Sequence, residues 1–311
     1  HKKKIAELLL EILERDGYGV RDSLLDSAVE YLPESTIRFM ITILQKRSCD
    51  ANDEYRKRYH LRLVESLARQ IKDAKLFEET RIASWEKLSS TAILDIATVY
   101  FESEDIVAAQ EWIKQIPDNE VHNAHDRDEL LLEIYKKQGD SESLKKLLFQ
   151  KFKEHPSSHT LEPFLDEIGH EQRESVIDAE VKVILKNKLF SYSNADFLIH
   201  VGKVDQAEAY LLNKIDQIDG EFYNFLLPLA KSMEEDNRYF MASLIYRSLL
   251  MSILGRAYTK SYTHGVSYLK KLDKFEGLVL DWRNFPSHEN FKNVVLQTHG
   301  RKKSFWAKYE K

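Results

Sequence analysis

The chain has 311 residues, of which 43% are hydrophobic and 31% charged, with a formal net charge of −5. That balance supports a sizeable core under a wet surface and excludes a globally basic nucleic-acid binder, although local basic patches remain open. Ten glycines and six prolines are too few for the many tight turns of a sandwich, a barrel or an α/β fold, so long helices with short links are expected.

Residues 4–16 read as a first helix, with Ile5, Leu8, Leu9, Ile12 and Leu13 on one face and Glu7, Glu11 and Glu14 opposite. Gly17 and Gly19 end it, Asp22 and Ser23 offer cap chemistry for a second helix to Tyr31, and Pro33 opens a third through about Gln45. Together residues 1–50 form an N-terminal helical cap. Residues 51–90 are a charged connecting segment, with one helix over 52–75 carrying Leu63, Leu67 and Ile71 on its apolar stripe. Its basic run Arg56-Lys57-Arg58-Tyr59-His60 with Arg62 is a wet helix face or a contact for an acidic partner.

Residues 91–250 repeat. An apolar helix, a polar turn and a second helix recur, with the turns at 102–105, 138–140, 169–171, 202–205 and 233–236. First-helix ends at Tyr100, Tyr135, Ile168, His200 and Ser232 are spaced by 35, 33, 32 and 32 residues, close to the period of tetratricopeptide units. Small residues are expected where paired helices approach, at Ala108 and at Ala207 and Ala209, with Leu144 departing from that pattern. The fold class expected is therefore all-α, a superhelix of degenerate tetratricopeptide-like hairpins, though the full tetratricopeptide consensus is absent. An irregular helical array is the competing reading.

Residues 251–311 hold the C-terminal helices and a basic-aromatic tail. The helix after Tyr239 is expected to run past Gly255 toward Tyr268, residues 281–287 to be irregular, and a final helix to span 288–298. The tail reads His299-Gly300-Arg301-Lys302-Lys303-Ser304-Phe305-Trp306. It resembles the end of a bacterial all-helical family catalogued as a domain of unknown function, which closes on His-Gly-Arg-Lys-x-Ser-Phe-Trp. Tyr258, Tyr262, His264, Tyr268 and Leu269, then His288, resemble the family's preceding segments, as do residues 5–10 and 20–24. The resemblance implies a bacterial origin and a cytosolic setting, and carries no activity.

The tail supplies the candidate binding residues Arg301, Lys302, Lys303, Phe305 and Trp306. Basic side chains among aromatics suit phosphates and unstacked bases, or the aromatics simply anchor the tail. His264, His288 and His299 join them as candidates, and would hold metal only if the terminal helices bring them together. His122 with His125 and the loop His155–His159 are weaker pairs. No phosphate loop, nucleophile elbow or zinc-protease motif occurs, so no catalytic residue, metal or cofactor is assigned. Cys49 stands alone, which excludes an internal disulfide and fits a reducing, cytoplasmic compartment. No apolar run reaches the roughly 18 residues of a membrane span. Opening on His1 and three lysines rather than Met, the chain reads as the edge of a fragment, which leaves open a signal peptide or an upstream domain. The reading reached is a non-enzymatic scaffold for protein or peptide partners, with nucleic-acid binding through the tail and a hydrolase at the C-terminal junction as alternatives.

Overall fold

The computed structural model describes residues 2–15, 22–85, 87–117 and 122–311. It is all-α, with 77% of residues helical and no strand among the described residues. By its internal contacts the chain divides into two compact units, His1–Leu147 and Leu148–Lys311.

The first unit begins with α1 (Lys2–Glu14), a short 3-10 turn at Asp22–Leu25, α2 (Ala28–Tyr31) and α3 (Glu34–Cys49). Gly17 and Gly19 lie outside the described residues. The second helix expected up to Tyr31 is instead broken in two, because Asp26 and Glu30 donate to the carbonyls three residues back (3.2 and 3.0 Å) and tighten the chain. The inward face of α1 also differs from expectation. Ala6, Leu10 and Leu13 are buried, whereas Ile5 and Leu8 are exposed. In a leucine-rich helix two faces compete, and the one with the small Ala6 is the one that packs, with α3 as the neighbour of α1.

The long helix expected over 52–75 is α4 (Glu54–Gln70), followed by a separate α5 (Ala74–Ser84). Asp53 caps α4 by accepting from the Arg56 amide at 2.8 Å. Lys72 turns left-handed (φ 57°), the Asp73 amide bonds back to the Ala68 carbonyl at 2.9 Å, and the Asp73 carboxylate takes the Leu76 amide at 3.2 Å. This closure of a helix end, a left-handed residue and then an amide reaching back five residues, recurs along the chain. Glu104 (φ 66°), Gly139 (φ 69°), Gly202 (φ 76°), Asn237 (φ 59°) and Ala257 (φ 52°) each take the left-handed place. The amides of Asp105, Asp140, Lys203, Arg238 and Tyr258 reach back to Tyr100, Tyr135, Leu198, Met233 and Ile253. Gly169, with φ 102° and ψ 130°, turns differently.

The helices joined this way in the first unit are α4 to α5, then α6 (Ser90–Glu102) to α7 (Ile106–Ile113). Next come α8 (Ala124–Gln138) and α9 (Ser141–Glu154), within which the division between units falls. Ala109, not Ala108, is the fully buried small residue of α7, one position from the expected phase.

The second unit continues with α10 (Ser158–Ile168), α11 (Arg173–Lys186), α12 (Tyr192–His200), α13 (Val204–Asn213), α14 (Tyr223–Glu235) and α15 (Tyr239–Gly255). Ala207 on α13 is fully buried as expected, while Ala209 is exposed. Twelve of the 17 residues of α15 are buried, so it is buried nearly all round, with α13, α14 and α16 packed against it. It ends at Gly255 rather than running on to Tyr268, because Ala257 is left-handed. There follow α16 (Tyr262–Phe275), the irregular segment 276–287, α17 (His288–His299) and α18 (Lys303–Tyr309). The tail is thus helical.

Gly220 sits where any Cβ would strike the backbone carbonyl of Ser248 on α15. Backbone cannot yield as a flexible side chain does, so Gly220→Ala is expected to destabilise by on the order of 1–3 kcal/mol. Gly139 has open space around its Cβ direction, so Gly139→Ala should cost only the left-handed backbone, about 1–2 kcal/mol. Chemical denaturation of the two variants beside wild type measures both losses.

Candidate binding cleft and the C-terminal polar cluster

In the first unit, α4 and the end of α5 enclose a cleft of about 550 Å3 lined by Glu54, Tyr55, Arg58, Tyr59, Arg62, Glu65, Arg81, Ser84 and Trp85. Residues 54, 58, 62 and 65 fall at helical spacing on one face of α4, and because α5 runs back alongside α4, its last residues meet that face. Arg81 and Trp85 also border a second hollow of about 340 Å3, with Lys87, Ser89, Thr91, Ala92 and Asp95.

Two arginines stack on aromatic rings, Arg58 over Trp85 at 5.3 Å and Arg62 over Tyr59 at 5.6 Å. Trp85 is 50% exposed and Tyr55 77%, so both rings face solvent. Arg58 meets no carboxylate among the described residues, and Glu54, one turn before it, pairs with Lys57 at 3.5 Å. At the back of the cleft Arg81 lies between two carboxylates, Glu65 at 3.3 Å and Asp95 at 3.1 Å. Glu65 is buried, accepts from Ser84 at 3.4 Å, and its carboxyl is pushed above the ordinary range chiefly by burial, against the pull of Arg81. The cleft therefore has a charge-paired floor and, at its mouth, a cation that meets no carboxylate among the described residues. Arg58 and Arg62 are legible in the sequence as a basic run; Glu65, Arg81 and Trp85 are not. A lone Trp between two helices gives no periodic signal, and the link to Arg58 depends on the turn at Lys72.

The candidates in the second unit disperse. His264 is exposed on α16. His288 and His299 stand at opposite ends of the 12-residue α17, ~16 Å apart at 1.5 Å per residue, too far to share one ion. Among the described residues no three of His, Cys, Asp or Glu form a metal-holding group. His122, His125, His155 and His159 are exposed. Arg301 and Lys303 are exposed and Lys302 half-buried. Phe305 is fully buried, edge-on to Tyr262 at 5.6 Å and to Trp306 at 5.2 Å. Gly265 on α16 makes room for it, with a Cβ there 3.2 Å from the Phe305 ring. The Trp306 indole N–H donates to the His299 carbonyl at 3.0 Å.

His288 instead joins a cluster built around Asp273 on α16. Asp273 Oδ1 receives His288 Nε2 and Lys292 Nζ, each at 2.8 Å. Asp273 Oδ2 accepts from the Tyr309 hydroxyl, which in turn takes Lys292 Nζ at 2.6 Å. One carboxylate thereby ties α16, α17 and α18. Burial would raise its pKa, but the hydrogen bonds from Lys292, Tyr309 and His288 outweigh it and hold the carboxyl below the usual value.

The chain matches the model of a family of unknown function (DUF6880) over residues 1–308. The chain belongs to this family. The resemblance carried by the tail and the N-terminal segment thus extends through the middle of the chain as well. No curated protein and no solved structure matches it. No helix among the described residues is long and apolar enough to cross a membrane.

Asp273 binds fewer protons in the folded than in the unfolded chain. Its contribution to stability is therefore fully present above the ordinary value of 3.8 and lost as pH falls through the depressed folded value. Asp273→Asn is expected to lose on the order of 1–3 kcal/mol at neutral pH, with the gap from wild type closing in acid. Urea denaturation across pH 2 to 7 measures it.

Proposed function

We propose that this protein is a non-enzymatic interaction protein whose first unit docks an acidic, partly aromatic segment of a protein partner in the α4–α5 cleft. The observation that carries the reading is Arg58. Its guanidinium lies on the half-exposed Trp85 ring without a carboxylate among the described residues, at the mouth of a cleft whose other charges are largely matched. A stacked guanidinium keeps its in-plane N–H edge available for a carboxylate while the ring beneath it offers apolar surface. Tyr55 and Trp85 extend that surface, and rigid aromatics with arginine are the side chains that dominate partner binding. The fixed floor of Glu65, Arg81 and Asp95 holds Arg81 in place without needing the ligand.

Helix pairs that reverse at Lys72, Glu104, Gly139, Gly202 and Asn237 support reading the chain as degenerate helical-hairpin repeats similar to the tetratricopeptide class. Such repeats present successive helices to a partner. A cytoplasmic, bacterial setting agrees with the lone cysteine and with the family resemblance.

The test is fluorescence anisotropy of a labelled peptide of alternating glutamate and phenylalanine, titrated with the full chain at low and high salt. Saturable binding is expected, weakened about tenfold or more by Arg58→Ala and by Trp85→Ala. Both side chains are exposed enough to leave the fold intact. Equal affinity in wild type and both variants, or tighter binding of a single-stranded oligonucleotide through Arg58, would overturn the reading.

A further inference from the structure

Arg247 lies within α15 and is only 6% exposed. Its guanidinium is held between two rings, Trp282 at 4.2 Å and Phe291 at 4.7 Å. One nitrogen, Nη1, donates to the Pro286 carbonyl at 2.8 Å. The other two, Nε and Nη2, are buried and have no partner, and no carboxylate pairs with this arginine among the described residues. Burial holds its pKa down to about 10, with no acidic group opposing the fall. A buried cation without a counter-charge is among the most expensive arrangements a fold can contain.

The two vacant donors are not an arbitrary pair. Nε and Nη2 form the side-on fork of a guanidinium, the edge whose parallel N–H groups match two oxygens of one carboxylate or phosphate. This chain shows the same fork filled elsewhere. Arg69 gives Nε and Nη2 to the two oxygens of Glu102 at 2.8 and 2.5 Å, and Arg127 gives the same two nitrogens to a single oxygen, Oδ1 of Asp128, at 3.1 and 3.0 Å. At Arg247 two rings lie within 5 Å of the guanidinium and Pro286 takes Nη1, so the Nε–Nη2 fork is the part of the group left without a partner.

Two nearby observations point the same way. Ser243, one turn earlier on the same face of α15, is fully buried, and its hydroxyl also lacks a partner. Arginine side chains on a helix lean toward its N-terminus, which carries the guanidinium toward that turn. His288, two residues beyond Pro286, is 1% exposed and keeps Nδ1 unpaired. The cover over the guanidinium is the irregular segment 276–287, in which Trp282 is half-buried and Pro286 exposed. Arg283, next to Trp282, sits at φ 51°, a left-handed conformation that costs a non-glycine residue energy and persists where surrounding contacts enforce it. Here those contacts are Glu208 at 3.2 Å and the Phe240 ring at 4.6 Å.

We infer that Arg247 is the anchor of a second ligand site, in which its Nε–Nη2 fork receives the oxyanion of a small carboxylate or phosphate, with the Ser243 hydroxyl as a further donor and Trp282 as the cover. This site is independent of the α4–α5 cleft and of the reading given for it.

The experiment is a titration of the uniformly 15N-labelled full chain with inorganic phosphate and, separately, with acetate, at ionic strength fixed with sodium chloride. The arginine Nε–Hε resonances are followed, and that of Arg247 is assigned by its loss in Arg247→Lys. A saturable shift of this resonance is expected with one of the two anions and none with chloride; which anion acts tells a phosphate ligand from a carboxylate. Arg247→Lys keeps the charge but not the fork, and should weaken binding about tenfold or more. Arg247→Met removes an unmatched buried charge, and should raise the Tm of the anion-free protein while abolishing its response to the anion. Absence of a saturable shift in wild type with both anions overturns the proposal, whatever the variants do. So does a lowered Tm in Arg247→Met, which would make Arg247 a clamp on Pro286 and nothing more.

Discussion

Five helix pairs in this chain, α4–α5, α6–α7, α8–α9, α12–α13 and α14–α15, reverse direction within two or three residues, and the same backbone device does it each time. One residue enters the left-handed region and the next amide bonds to the carbonyl five residues back, so that the orphan carbonyls of the first helix are used before the second begins. Only Gly139 and Gly202 fill that place without steric cost; Lys72, Glu104, Asn237 and Ala257 fill it against their intrinsic preference. The second helix of each pair offsets that cost. Asp73, Asp105 and Asp140 cap the second helices, and the paired helices then bury their apolar faces together. The cleft depends directly on this device, because the turn at Lys72 brings Trp85 back to Arg58.

The same device sets how much can be read from the sequence. The recurrence of apolar helix, polar turn and helix is plain between residues 91 and 250, because apolar spacing and acidic turn residues repeat there. The turn at Lys72 is hidden, since lysine and aspartate between charged segments look like a continuing wet helix, and a hairpin reads as one helix. The end of α15 at Ala257 is hidden for the same reason. A left-handed lysine or alanine leaves no compositional trace, whereas Gly139 and Gly202 do. Faces are less legible than elements. Ala108 and Ala109 are neighbours about 100° apart on a helix, and nothing local says which of the two turns inward.

The sites show a related limit. The tail reads as a basic-aromatic ligand surface because composition alone cannot tell an aromatic that stacks on a ligand from one that stacks on the core. Phe305 fills the space left by Gly265, and the Trp306 indole is held by the His299 carbonyl, so one candidate residue packs α18 on α16 and the other ties it to the end of α17. In the cleft the order is reversed. Arg58 and Arg62 look like solvated charge, yet their guanidiniums lie on Trp85 and Tyr59. Exposure decides between the two cases, and exposure is a tertiary property.

Charge matching sorts the arginines of this protein into two kinds. Arg69, Arg81 and Arg127 have their carboxylates, as lattice members of the fold. Such pairs contribute little net stability at the surface, and inside a protein they mainly avoid a penalty. Among the described residues Arg58 and Arg247 have aromatic faces instead, which support a guanidinium through its π-surface but do not neutralise it. For Arg58 water supplies the difference. For Arg247 it does not, because its fork is buried. A fold that needed only a filler in the middle of α15 would be served by leucine or methionine, as at Leu249, Leu250 and Met241. Retaining a guanidinium there, faced by two rings and tied at one end, is costly to the empty protein and makes physical sense when the missing counter-charge arrives from outside.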